Sequence, residues 1–289
     1  MAAYRFCRTD DIALLVDALN RCWAPYQPDE PLMTRDAFKR SIRDLQVWCS
    51  SCMVAFSGPD PVGVLIGAKR PSGTLVHQIA VHPDHRRHGH GRHLLASLGS
   101  KLSILGPPRM VAEIPETHAP ACELFSASGY VQEARLTDYV LQGMANEASE
   151  PTDGRFVIPV TVDDLAANGL LAERDPQVCW QRSVETLTAK KDQIAGLAVA
   201  SDEQIEAWLL YVKAGGSPDG DAEIVSLGSL IEDGGITLKQ LLGRLRAQGL
   251  ASCRFPRVHQ AEISADLLKT LGFRPAGEHL LYAATARSG

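Results

Sequence analysis

The sequence contains no apolar run long enough to cross a bilayer, and its first residues, Met1 to Arg8, have no hydrophobic segment of the kind that begins a secretory leader. A cytoplasmic protein without a membrane partner is the expectation. Aromatic residues are scarce, at 6%, and the formal net charge is -5. The overall sign argues against a nucleic-acid partner. Cysteine is neither dense nor even: seven residues, at 7, 22, 49, 52, 122, 179 and 253, do not make a disulfide framework in 289 residues. Cys49-Ser-Ser-Cys52 has the spacing of a redox or zinc pair, but no second pair accompanies it, so buried thiols are expected. What is present is ordinary for a globular chain: 45% hydrophobic and 22% charged residues, over a length that suits two domains.

One stretch stands out, residues 75–95. An apolar run (Leu75, Val76, Ile79, Val81) stops at Pro83, a polar loop with Gly89 and Gly91 follows, and Leu94, Leu95 and Leu98 then repeat at helical spacing. This is strand, loop, helix. Glycines there let the chain turn so that the amide groups opening the helix converge on one spot, which suits an anion. Arg86, Arg87 and Arg92 add positive charge, and His82, His85, His88, His90 and His93 can add more as pH falls, predicting tighter anion binding under acid conditions. The guest expected is a phosphate or pyrophosphate. The spacing is neither a P-loop nor a dinucleotide fingerprint. A metal held by His85, His88 and His90 is the other reading; no further ligand group of suitable spacing supports it, and no metal is expected.

Taken in order, residues 3–8 read as a strand and Thr9 as the cap of a helix carrying Ile12, Leu15, Val16 and Leu19. Prolines at 25, 28 and 31 impose a loop, and a second helix starts at Thr34. Residues 53–56 and 62–68 form a hairpin, then come the strand and helix above, a strand at 109–115, a helix at 119–128 and a strand at 138–142. Residues 146–154 are polar and aperiodic, as a linker would be. The second half repeats the plan with a helix at 179–187, a hairpin of 194–200 and 204–212, a strand at 222–227 and a helix at 236–246. Ala121 to Tyr130 lines up with Ser264 to Phe273, and Tyr139 with Tyr282, at one offset. Where the first half has Arg86 to Gly91, the second has Leu230 to Gly235, so Glu232 and Asp233 would repel a pyrophosphate.

The pattern Val81-x-Pro83-x-x-Arg86-x-x-Gly89-x-Gly91 resembles the acyl-CoA loop of the GNAT (Gcn5-related N-acetyltransferase) superfamily, Arg/Gln-x-x-Gly-x-Gly/Ala after a strand ending in Val-x-Pro. The element order of residues 1–143 is similar to the whole GNAT fold. The resemblance implies an α/β (α+β) protein of two GNAT domains in tandem, each a mixed, mostly antiparallel sheet flanked by helices. Residues 1–145 would carry the acyl-CoA loop, and residues 155–289 would be a degenerate copy.

It implies a transferase that moves an acetyl group from acetyl-CoA to a primary amine, on a small molecule or a peptide, by direct attack in a ternary complex. Ile79, Ala80 and Val81 would pair with the pantetheine arm, and Arg86, Arg87, His88, Gly89, His90, Gly91 and Arg92 would hold the pyrophosphate. Glu113 matches a family glutamate that serves as base, with His77 second. Trp23, Tyr26, Asp29 and Glu30 lie in the loop that in this superfamily often borders the acceptor. The family pattern Asn-x-x-Ala-x-x-Leu-Tyr reads here as His118 to Phe125. His118 would replace the asparagine against CoA, and Phe125, beside the thiol, lacks the hydroxyl that protonates it. That departure motivates the other reading, a non-catalytic acyl-CoA-binding or sensing protein. A monomer with pseudo-twofold tandem domains, or a homodimer, is expected.

Overall fold

The computed structural model describes residues 2–26, 28–143, 155–171, 178–213, 221–250 and 252–286. The chain divides into two compact units, residues 1–133 with 280–289, and residues 134–279.

The first unit begins with β1 (Ala2–Phe6), α1 (Ile12–Trp23) and α2 (Arg35–Leu45). Thr34 caps α2, its hydroxyl accepting from the Ala37 amide, while the expected cap at Thr9 gives way to a short 3-10 turn. Antiparallel β2 (Met53–Ser57), β3 (Asp60–Arg70) and β4 (Gly73–Val81) follow, then α3 (His90–Leu105), β5 (Arg109–Pro115) and α4 (Ala119–Ala127). β4 and β5 run parallel. Along β5, Met110, Ala112 and Ile114 face a core formed with Leu94, Leu95, Leu98 and Leu102 of α3 and Phe125 of α4. α1 packs on β3 and β4.

The sheet of this unit ends with residues from the far end of the chain. β12 (Arg274–Thr285) contributes Leu280–Thr285 beside β5, and Leu280, Tyr282 and Ala286 join the core above. β6 (Val131–Gln142), the last strand of the first half, passes into the second unit from Ala134 onward. Packing therefore cuts the chain differently from the sequential division at 145. The two halves exchange their final strands, whose similar patterns around Tyr139 and Tyr282 make each fit the other's place. The expected linker, 146–154, lies outside the described residues.

The second unit orders its strands β6, β11 (Ser252–Val258), β10 (Asp221–Ser229), β9 (Ile205–Lys213), β8 (Ala195–Ala200) and β7 (Phe156–Pro159). Its helices are α5 (Val162–Ala167), α6 (Val184–Ala189), α7 (Ile236–Ala247) and α8 (Ala265–Thr270). The helix expected at 179–187 starts only at Val184, because Ser183 caps it and Trp180–Arg182 form a 3-10 turn. β7 and α5 are additions; the Thr161-x-x-Asp164 capping box, present in the sequence, marks α5. No described helix is long and apolar enough to cross a membrane.

Tyr282→Ala, which removes a buried ring from the first unit's core, should destabilise that unit by roughly 3–5 kcal/mol. Hydrogen exchange of the β2 and β3 amides should accelerate; unchanged protection there would place Tyr282 outside that core.

Candidate active site

Parallel pairing of β4 with β5 is confined to Thr74–Met110 and Leu75–Val111. Beyond these pairs the register stops, and the later residues of both strands, 76–81 and 112–115, flank a wedge. A β-bulge contributes to the parting: β3 pairs Ile66 with Gln78 but Gly67 with Val76, leaving His77 as the extra residue. His82 donates its amide to the Val62 carbonyl at 2.9 Å, so by strand alternation the peptide groups of Ile79 and Val81 turn away from β3 and toward the wedge. Ile79 and Val81 are the strand residues expected to meet pantetheine; Ala80 between them is buried and bonds on the β3 side.

Past β4 the chain reaches the head of α3, a helix of 16 residues. Gly89 is its N-cap, at φ 83°, with no side-chain acceptor on the first amides. Open space surrounds the Gly89 Cα, whereas a Cβ on Gly91 would meet Leu124 at 3.0 Å, so Gly91 serves the packing of α3 on α4. Arg86, Arg87, His88 and Arg92 are exposed around this helix head, and the Arg87 side chain is 91% exposed, 4.0 Å from Glu123. His90 differs from the expectation: it is buried, with Nδ1 2.7 Å from the Tyr4 hydroxyl. Burial first, then His85, His88 and His93, push its pKa down, which opposes the added charge expected of it in acid.

The equivalent place in the second unit is filled by the chain itself. Gly235, at φ 87°, is the N-cap of α7, so Gly89 corresponds to Gly235 and the alignment made from sequence shifts by two residues. Arg87 then stands against Asp233. The Asp233 carboxylate accepts from the amides of Gly235 at 2.9 Å and Thr237 at 2.8 Å, and from the Thr237 hydroxyl. Burial alone would raise its pKa; the bonds from Thr237, Gly235 and Ile236 outweigh that and hold it low. An internal carboxylate occupies the α7 anion position.

Behind the wedge, Glu113 is half-buried on the face of β5 opposite the α3 core, the face it shares with Val111. Gln78 lies on that face too, since its partner Ile66 alternates with core-facing Leu65. A small open cleft there is lined by Leu19, Trp23, Glu30, Leu32, Met33 and Gln78, among others. Asn20 fastens its wall, exchanging two hydrogen bonds with the Met33 backbone at 3.0 and 2.8 Å. Trp23 donates its indole N–H to Glu30 at 3.3 Å.

Of the acceptor residues expected, Trp23 and Glu30 line the cleft; Asp29 is exposed outside the lining, and Tyr26 turns toward β4. His118 is exposed at the start of α4. Phe125, expected beside the coenzyme thiol, is fully buried, edge-on to Tyr130 and stacked with Tyr282, so its ring belongs to the core. Gln78 and Asn20 escaped sequence reading because each acts through register or a backbone contact that only the fold reveals.

Residues 12–130 match the family model described as Acetyltransferase (GNAT) family. No curated protein matches the chain by sequence. Among solved structures, a tandem GNAT protein from the clavulanic acid biosynthesis pathway is similar over 100% of both chains, at 16% identity and TM-score 0.70. A GCN5-related N-acetyltransferase from Sphaerobacter thermophilus is similar over 100% of this chain and 96% of its own, at 15% identity and TM-score 0.66. A putative acetyltransferase from Pyrococcus horikoshii covers 99% and 90%, at 16% identity and TM-score 0.59.

Asp233→Asn should weaken the α7 cap by about 1 kcal/mol. A depressed carboxylate stabilises the fold above its unfolded pKa, near 4, and loses that contribution as pH falls through the lower folded value. Urea midpoints at pH 5 and pH 3 should therefore converge for the variant and the parent at the acid end; a constant gap would contradict the cap.

Proposed function

With residues 12–130 matching the GNAT family model and the whole chain similar in fold to a tandem GNAT protein, we propose that the first unit is an acyl-CoA-dependent N-acyltransferase. The simplest donor is acetyl-CoA, which supplies an activated thioester; the acceptor is a primary amine. The observation that carries this reading is the uncapped head of α3, at the mouth of the β4–β5 wedge and ringed by Arg86, Arg87 and Arg92.

The first amides of α3 and these arginines would bind the pyrophosphate. The wedge-facing peptide groups of Ile79 and Val81 would pair with the pantetheine arm, and an N–H among them would donate to the carbonyl oxygen as it gains charge. Glu113 would take the proton from the ammonium of the acceptor, leaving a neutral amine to attack the thioester carbonyl; the C–N bond forms as the C–S bond breaks. His77, the bulged residue, is the second candidate for that proton. With Phe125 buried, the thiolate leaves without a tyrosine donor, which its modest basicity permits.

The cleft supports an acceptor class as well. Leu19, Trp23, Leu32 and Met33 give it an apolar body, while Glu30 and Gln78 supply polar ends, and Asn20 is engaged with the backbone. An amine with an apolar skeleton fits better than a sugar whose hydroxyls would need many partners. The buried Phe125 favours the second reading, an acyl-CoA-binding protein without turnover. The protein would act in the cytoplasm, as a monomer or homodimer.

Acetyl transfer from acetyl-CoA to a panel of alkyl and arylalkyl amines tests this. Glu113→Gln should lower kcat/KM about 10²- to 10⁴-fold at neutral pH. Unchanged turnover would remove Glu113 as base, and coenzyme binding without turnover on any amine would favour the second reading.

A further inference from the structure

Tyr26 sits in the loop that walls the cleft, yet its side chain turns toward the end of β4 and Arg86. Its hydroxyl donates to the Val81 carbonyl at the end of β4. The same oxygen accepts from Nε of Arg86, and the Arg86 guanidinium lies over the ring, 4.1 Å from its centroid. Burial raises the Tyr26 pKa and the charge of Arg86 opposes it; the net is upward, so the hydroxyl keeps the proton it donates.

These contacts restrict a residue that would otherwise be free to move. Arg86 is exposed on a loop, where a long side chain samples many rotamers, and ordering it on binding costs affinity. The bond to Tyr26 uses one of five guanidinium N–H donors. Four remain, on Nη1 and Nη2, for an anion. The ring contact and the Nε bond together fix the plane of the guanidinium before any ligand arrives.

We propose that Tyr26 is a positioning residue for the coenzyme: the Val81–Tyr26–Arg86 relay presets Arg86 for the phosphates of acyl-CoA. This rests on the reading of residues 86–92 as the coenzyme loop. It assigns Tyr26, expected at the acceptor, to the donor side.

A double-mutant cycle tests the relay. Acetyl-CoA would be titrated calorimetrically into the parent, Tyr26→Phe, Arg86→Ala and the double variant, with Tm measured for each. Tyr26→Phe keeps the ring but removes the hydroxyl relay, so it should raise Kd roughly 3- to 10-fold, the range for ordering one long side chain. In the Arg86→Ala background the same substitution should have no further effect. Equal weakening in both backgrounds would show that Tyr26 acts independently of Arg86 and would overturn the proposal, as would unchanged or tighter binding by Tyr26→Phe. Failure of the parent itself to bind acetyl-CoA would remove the coenzyme-loop reading and this proposal together, whereas a binding parent with a flat cycle removes this proposal alone.

Discussion

The amide groups that open an α-helix have no partner within it, and something must accept from them. In the second unit Asp233 does so, held two residues before the Gly235 cap and bonded to Gly235 and Thr237. In the first unit the corresponding position is Arg87, a cation, and Gly89 brings no side-chain acceptor to α3. The same turn, with glycine at φ 83° and 87°, thus closes on itself in one unit and stays open in the other. The functional asymmetry proposed for the chain rests on that difference.

An open helix head becomes a coenzyme site only if a groove leads from it toward a reacting group. The β-bulge at His77 and the short pairing of β4 with β5 provide the groove, and they leave the outward peptide groups of Ile79 and Val81 along its edge. Glu113 and Gln78 share the sheet face on which α1 and the loop after it lie, so the proposed base and the cleft stand on one side of the wedge. The core of α3, α4 and residues 280–286 fills the opposite face. The sheet's own alternation thus separates the core from the cleft.

Much of this was legible in the residues. The strand-loop-helix at 75–95 was, because proline, glycine and leucine punctuate it at spacings with one structural reading. The strand exchange was not: β6 and β12 have similar patterns, and sequence order says nothing about which sheet each completes. Phe125 was placed by motif beside the thiol, but its ring is packed against Tyr130 and Tyr282, a contact that depends on the exchanged strand. His90 reads in sequence as a loop cation, whereas its ring is buried against Tyr4 and burial pushes its pKa down. Tyr26 lies in the loop expected at the acceptor, and its hydroxyl turns to the Val81 carbonyl, because sequence neighbourhood gives a loop's location and not the direction of its side chains.

The stoichiometry of acetyl-CoA binding tests the asymmetry between the two helix heads most directly. Calorimetric titration should give one site per chain, and Gly89→Val should abolish it, because a β-branched residue does not hold φ 83° at the α3 cap. Two sites, or one site that survives in Gly89→Val, would contradict the account.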